Sequence, residues 1–141
     1  MSAPNCLTTV VMCSDYRFVQ VVIDRLNEAG LLGKYDLIAL PGSQGNARTD
    51  EHFFSSKLGT LIDLHDPEVV WFIAHRDCGA YGGSQAFSLW HHEREMYVRD
   101  LREATELVQR DFPGVEVKRF IINCDGFDVV ELPINARFEV I

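Results

Sequence analysis

Residues 10–19 read VVMCSDYRFV. An apolar, β-branched run ends on Cys13, and Asp15 and Arg17 follow at alternate positions. A buried strand that merely stopped in a turn would need no soft metal ligand, carboxylate and guanidinium at its end. Residues 7–12, LTTVVM, therefore read as a buried strand whose carboxyl end carries chemistry.

Working outward, residues 17–29 set Phe18, Val21, Val22, Leu26 and Ala29 at helical spacing, and Gly30 and Gly33 stop that helix. DLIAL at 36–40 is a second strand, closed by Pro41 and Gly42. GSQGNART at 42–49 reads as loop, with Thr49 placed to cap a helix from about 50 to 65. Pro67 separates that helix from EVVWFIA at 68–74, a third buried strand. Gly79, Gly82 and Gly83 make the next turn irregular, and an amphipathic helix over about 90–111 ends at FPG. VEVKRFIIN at 115–123 is the fourth strand. FDVVEL and RFEVI, at 127–132 and 137–141, are expected to form a terminal hairpin through PINA.

Strands alternating with helices predict an α/β three-layer sandwich with a mostly parallel sheet in the order 2-1-3-4 and an antiparallel C-terminal edge hairpin. At 141 residues the chain is expected to be one domain, 1–141. Such a sheet binds ligands at the carboxyl ends of its strands, where the strand order reverses. In this order the reversal falls between strands 1 and 3. CSDYR (13–17) and AHRDCGAYGG (74–83) can thus meet, since neighbouring strands lie about 4.8 Å apart.

Composition narrows the partners. Net charge is −8, with no run of lysines and arginines, which argues against nucleic acid and anionic membrane surfaces. No apolar run reaches the roughly 20 residues of a membrane span. MSAPNCLTTVVM lacks the charged start of a signal peptide, so the cytoplasm is the expected location. Four cysteines without a secretion signal point to thiols or metal ligands. Cys6 and Cys124 read as small buried apolar residues.

Cys13, His75 and Cys78 together offer two thiolates and one imidazole, a set that selects zinc over the oxygen-seeking calcium and magnesium. Three protein ligands leave a fourth position for water or a carboxylate, and Asp15 is the nearest candidate in sequence. His91 and His92 open a helix start crowded with Glu93, Arg94 and Glu95, which reads as solvated; His52 and His65 have no evident partner. PGSQGNART lacks the lysine of a phosphate-binding P-loop, and Cys13 lacks the arginine six residues on that a phosphatase loop requires.

CSDYR followed by HRDCGA resembles the paired signature of the β-class carbonic anhydrases, C-x-D-x-R with H-x-x-C-G. The likeness runs from about Thr9 to the terminal hairpin. It implies that Cys13, His75 and Cys78 are zinc ligands. It further implies that Asp15 and Arg17 form a dyad in which arginine draws the aspartate off the metal in an open state, with Asp15 a fourth ligand in a closed one. Gly79 lies in the turn beside the last ligand. The implied activity is hydration of carbon dioxide to bicarbonate by zinc-bound hydroxide, with Asp15 orienting the bound water. A non-catalytic zinc-binding domain and a zinc hydrolase of an analogue such as carbonyl sulfide are the alternatives. They stand because the chain departs from the family twice. The usual R-N-A-G after strand 2 is replaced by LPGSQGNART, with Asn46, Ala47 and Arg48 as a reordered echo, and strand 1 begins almost at once. Surface that family members cover with N-terminal helices is expected to be buried in a homodimer or larger homo-oligomer.

Overall fold

The structure is a computed structural model that describes residues 6–141; residues 1–5, part of the stretch read above for a signal segment, lie outside it. Strand β1 (Thr8–Met12) is buried at every position. It pairs in parallel with β2 (Tyr35–Ala39) on one side and β3 (Val69–His75) on the other, and β4 (Glu116–Asn123) continues the parallel array. After β5 (Gly126–Phe127) and β6 (Pro133–Ile134), strand β7 (Arg137–Val140) runs antiparallel to β4 and completes a sheet in the order β2-β1-β3-β4-β7.

Alternation along the central strands decides the layers, because successive side chains point to opposite faces. Val10, Met12, Trp71 and Ile73 pack with Phe18, Val22 and Leu26 of α1 (Tyr16–Glu28). Val11, Val70 and Phe72 face the other way, against Phe54 and Leu58 of α3 (Glu51–His65) and Tyr97, Leu101 and Val108 of α4 (Trp90–Asp111). The result is the expected α/β sandwich, and none of the described helices is long and apolar enough to cross a membrane.

Three local expectations change. Thr49 does not cap the helix that follows; its hydroxyl donates back to the Gly45 carbonyl at 3.1 Å. That bond belongs to a 3-10 turn (Ser43–Gly45) and a short helix, α2 (Asn46–Thr49), which replace the expected loop. Gly42 enters this segment at φ 80°, and a Cβ there would stand 3.0 Å from the Ala80 Cβ, so a side chain would block contact with the turn after β3. At the C-terminal edge, the antiparallel partner of 137–140 is β4, while β5 and β6 form a separate two-residue ribbon. Val129 and Val130 favour a strand by type, but the Asp128 carboxylate accepts from the backbone N–H groups of Val130 and Leu132 at 3.0 and 2.9 Å and holds them in a turn.

Candidate metal centre

Cys13 follows the end of β1 on the face that carries Val11, and His75 ends β3 on the face that carries Trp71 and Ile73. Cys78 sits in the turn beyond, just before a 3-10 turn over Gly79–Tyr81. One ligand atom from each of the three lies within 4.8 Å of the others, and the two sulfurs are 3.9 Å apart. All three residues are buried.

The histidine is aimed. Its Nδ1 lies 2.7 Å from the Arg76 carbonyl, which accepts only if Nδ1 carries the proton, so Nε2 presents a lone pair. Phe18 stacks on the ring at 4.2 Å between centroids, fixing its plane. Nε2 is buried and has no hydrogen-bond partner. A buried acceptor left unpaired costs about 1–3 kcal/mol, so a position of this kind is explained by something that binds it. The sulfurs act as a pair: the hydrogen bond from Cys78, with His75 near, holds Cys13 well below the ordinary thiol value, and the same interaction plus burial pushes Cys78 up. A cation between them would favour two thiolates.

Asp15 and Arg17 stand beside this group. Asp15 is the N-cap of α1: its Oδ1 accepts from the Arg17 backbone N–H at 3.0 Å. The Arg17 side chain returns to the same carboxylate, with Nη2 to Oδ2 at 2.7 Å and Nε to Oδ1 at 3.0 Å. One carboxylate thus both caps α1 and pairs with Arg17. Burial opposes ionisation of Asp15, yet the bonds from Arg17 outweigh it and the carboxyl lies below its ordinary value. Oδ2 of Asp15 is 3.7 Å from Nε2 of His75.

Sequence reasoning missed the support behind this site. Asp77 lies inside HRDCGA, at φ 61°, and takes two bonds from Arg17: Nη1 to Oδ2 at 3.0 Å and Nη2 to its carbonyl at 2.9 Å. Its other carboxylate oxygen accepts from the Ser84 N–H at 2.7 Å. Glu93 is not on a solvated face. It is 1% exposed and accepts from the Asp77 N–H at 2.7 Å and the Tyr97 hydroxyl at 2.6 Å. Tyr97 in turn accepts from the Cys78 N–H at 3.3 Å. The legible signal was position alone: Asp77 sits between two ligand-type residues, and Glu93 and Tyr97 share a helix face at i, i+4. His91 is exposed, as expected, and pairs with Glu95 at 3.6 Å.

The loop after β2 supports the site from the other side. The Gln44 amide donates to the Tyr81 hydroxyl at 3.0 Å, and Tyr81 donates to Asp100 at 2.6 Å. Arg48 bonds the same buried carboxylate at 3.1 Å. A cleft of about 510 Å³ opens over the centre, bordered by Cys13, Asp15, Arg17, Gly42, Ala80 and Glu131. The arrangement can hold a metal ion at the cleft floor, with a restrained carboxylate beside it.

A family model described as "Putative carbonic anhydrase" matches residues 3–132. An uncharacterized protein of Rickettsia conorii is 25% identical over 136 residues, spanning 89% of this chain and 73% of the relative. A second, from Rickettsia bellii, is 26% identical over 127 residues, spanning 84% and 77%. Among solved structures, the β-carbonic anhydrase CafA of the fungal pathogen Aspergillus fumigatus aligns at a TM-score of 0.47 and 14% identity, over 85% of this chain and 72% of that one. The family match spans nearly the whole chain and encloses both cysteine-bearing motifs, so this protein belongs to the family described as "Putative carbonic anhydrase".

Proposed function

We propose that this protein catalyses the reversible hydration of carbon dioxide to bicarbonate, with zinc held by Cys13, His75 and Cys78. The observation that carries the proposal is the buried, unpartnered Nε2 of His75 beside two sulfurs, with Asp15 restrained next to it. Two sulfurs and one imidazole nitrogen are a zinc-type donor set, and the Arg76 carbonyl supplies the outer partner that orients a ligating histidine. Zinc in such a site supplies Lewis acidity that brings the ionisation of water into the neutral range.

The chain's own groups do the rest. Arg17 occupies both oxygens of Asp15 and so keeps this carboxylate ionised and off the ligand atoms. Asp15, held there, accepts a hydrogen bond from the attacking water and sets its direction. If the Arg17 contacts break, Asp15 is free beside His75, and we assign it as the fourth ligand of a closed state. The proton released as water and carbon dioxide become bicarbonate leaves through the open cleft.

We further infer that the chain works as a homodimer or larger homo-oligomer in the cytoplasm. Val129, Val130, Leu132 and Val140 are exposed apolar side chains, and all four cysteines are free thiols. A net charge of −8 supports a small-molecule substrate over nucleic acid. The test is a stopped-flow hydration assay on protein of measured zinc content. Hydration above background, increasing with pH from about 7 to about 9, is expected. Zinc-loaded protein with no activity over that range would overturn the catalytic reading.

A further inference from the structure

A second group of metal-ligating side chains lies at the opposite end of β1. Cys6 precedes the strand, Asp36 stands on β2, and His65 is the last residue of α3. One ligand atom from each lies within 4.8 Å of the others. Oδ2 of Asp36 is the meeting point: His65 Nδ1 is 2.5 Å from it, and the Cys6 thiol donates to it at 3.6 Å. The backbone holds the carriers in place. The Cys6 N–H donates to the His65 carbonyl at 3.1 Å, and the Leu7 N–H donates to Lys34, next to β2, at 2.9 Å. At about 3.3 Å per residue, the chain from Cys6 to Cys13 separates the two groups by roughly 20 Å.

We propose that Cys6, Asp36 and His65 form a second metal site, for a divalent ion of the zinc class. A sulfur and an imidazole disfavour calcium and magnesium, while one carboxylate oxygen suits a borderline ion. Three different ligand types from three elements converge on one point. The side chains of His65 and Asp36 are 29% and 21% exposed, so an ion can enter and water can complete the shell. Binding replaces the thiol proton: a bond forms between sulfur and the ion, the S–H bond breaks, and the proton passes to solvent or buffer. No oxidant is needed. The competing account is a hydrogen-bonded triad that only fastens the start of β1 to the end of α3.

The test uses the purified holoprotein, titrated with zinc chloride and freed of excess zinc by gel filtration. Metal is counted by elemental analysis, and Cys6 alkylation by N-ethylmaleimide is followed by peptide mass spectrometry. Wild type is expected to take up one zinc beyond its resting content, with Cys6 alkylation slowed at least about tenfold, since a metal-bound thiolate is a poor nucleophile. Cys6→Ser, Asp36→Asn and His65→Gln should each abolish the extra zinc. No extra zinc, or extra zinc with an unchanged Cys6 alkylation rate, would overturn the site. Cys6 protection is read on the wild type, so misfolding of a variant leaves the test intact. It is also independent of Cys13, His75 and Cys78: failure of the catalytic reading would change hydration and leave Cys6 protection in place.

Discussion

Both ends of β1 gather a cysteine, a histidine and a carboxylate, yet they are built differently. At the amino end, His65, Asp36 and Cys6 satisfy one another and lie partly open to solvent. At the carboxyl end, Asp15 is taken up by Arg17, and His75 is left buried with a free ring nitrogen. An unpaired buried acceptor costs free energy that the amino end does not incur. A further layer braces the carboxyl end: the Arg76 carbonyl on His75, Tyr97 on the Cys78 N–H, and Glu93 beneath Asp77. The difference teaches that ligand type alone does not rank a site. Burial and outer bracing separate the two groups.

The largest effect should follow from breaking the carboxyl-end group. Cys13→Ser, Cys78→Ser and His75→Ala should each reduce zinc from about one per chain to about a tenth of that or less, with a lower Tm, because metal affinity and folding are coupled. Elemental analysis and calorimetry read both quantities. Cys6→Ser should leave this resting zinc in place. Wild-type zinc content in Cys13→Ser would dissolve the contrast between the two ends.

Next comes the latch. Arg17→Ala removes every side-chain bond that keeps Asp15 from the ligand atoms. Hydration should fall at least about tenfold, roughly 1.4 kcal/mol of transition-state stabilisation, while zinc content holds. Loss of activity and metal together would instead make Arg17 part of the scaffold.

The bracing can be tested apart from the ligands. Glu93→Ala leaves the Asp77 N–H and the Tyr97 hydroxyl without their acceptor, and a buried unsatisfied donor costs about 1–3 kcal/mol. Urea denaturation should show that loss with an unchanged m-value. Glu93→Gln keeps an acceptor oxygen and should lose less. Equal stability of Glu93→Ala and wild type would mean that the outer layer does not hold the centre.

How much of this was readable from sequence depended on the range of each interaction. The buried strands announced themselves, because Val10, Val11, Val70 and Phe72 sit in apolar runs bounded by turn residues, and both faces of the parallel sheet are covered. Strand order then brought Cys13 near His75 and Cys78. The outer layer was not readable. Glu93 looks solvated beside Arg94 and Glu95, and only the fold shows that α4 turns it inward onto the Asp77 backbone. His65 gained a partner in the same way, from a strand 29 positions away. The 127–132 segment failed for a local reason: one Asp128 carboxylate outcompeted the strand preference of Val129 and Val130.

The smallest expected effect is the acid limb of stability, and it sharpens the comparison because it depends on Arg17. Burial works against the charge on Asp15 and on Asp77, but hydrogen bonds from Arg17 to both, and from the Ser84 N–H to Asp77, hold their carboxyls below the ordinary 3.8. A carboxyl whose folded value is depressed adds stability above its unfolded value, and that stability is lost as pH falls through the folded value. For these two groups the loss begins near 3.8 and extends to lower pH. Both carboxylates keep some solvent contact, so screening should hold the combined contribution to about 1 kcal/mol or less. Without the guanidinium the depression should shrink. The difference in stability between wild type and Arg17→Ala should therefore be constant from about pH 6 down to about pH 4.5 and narrow below that. The comparison is made on zinc-free protein, where Asp15 has no metal to ligate, so urea denaturation of the pair at matched pH isolates the carboxylates. A difference that stays constant down to about pH 3 would mean that Arg17 holds Asp15 in place without shifting its ionisation, a latch of geometry rather than of charge.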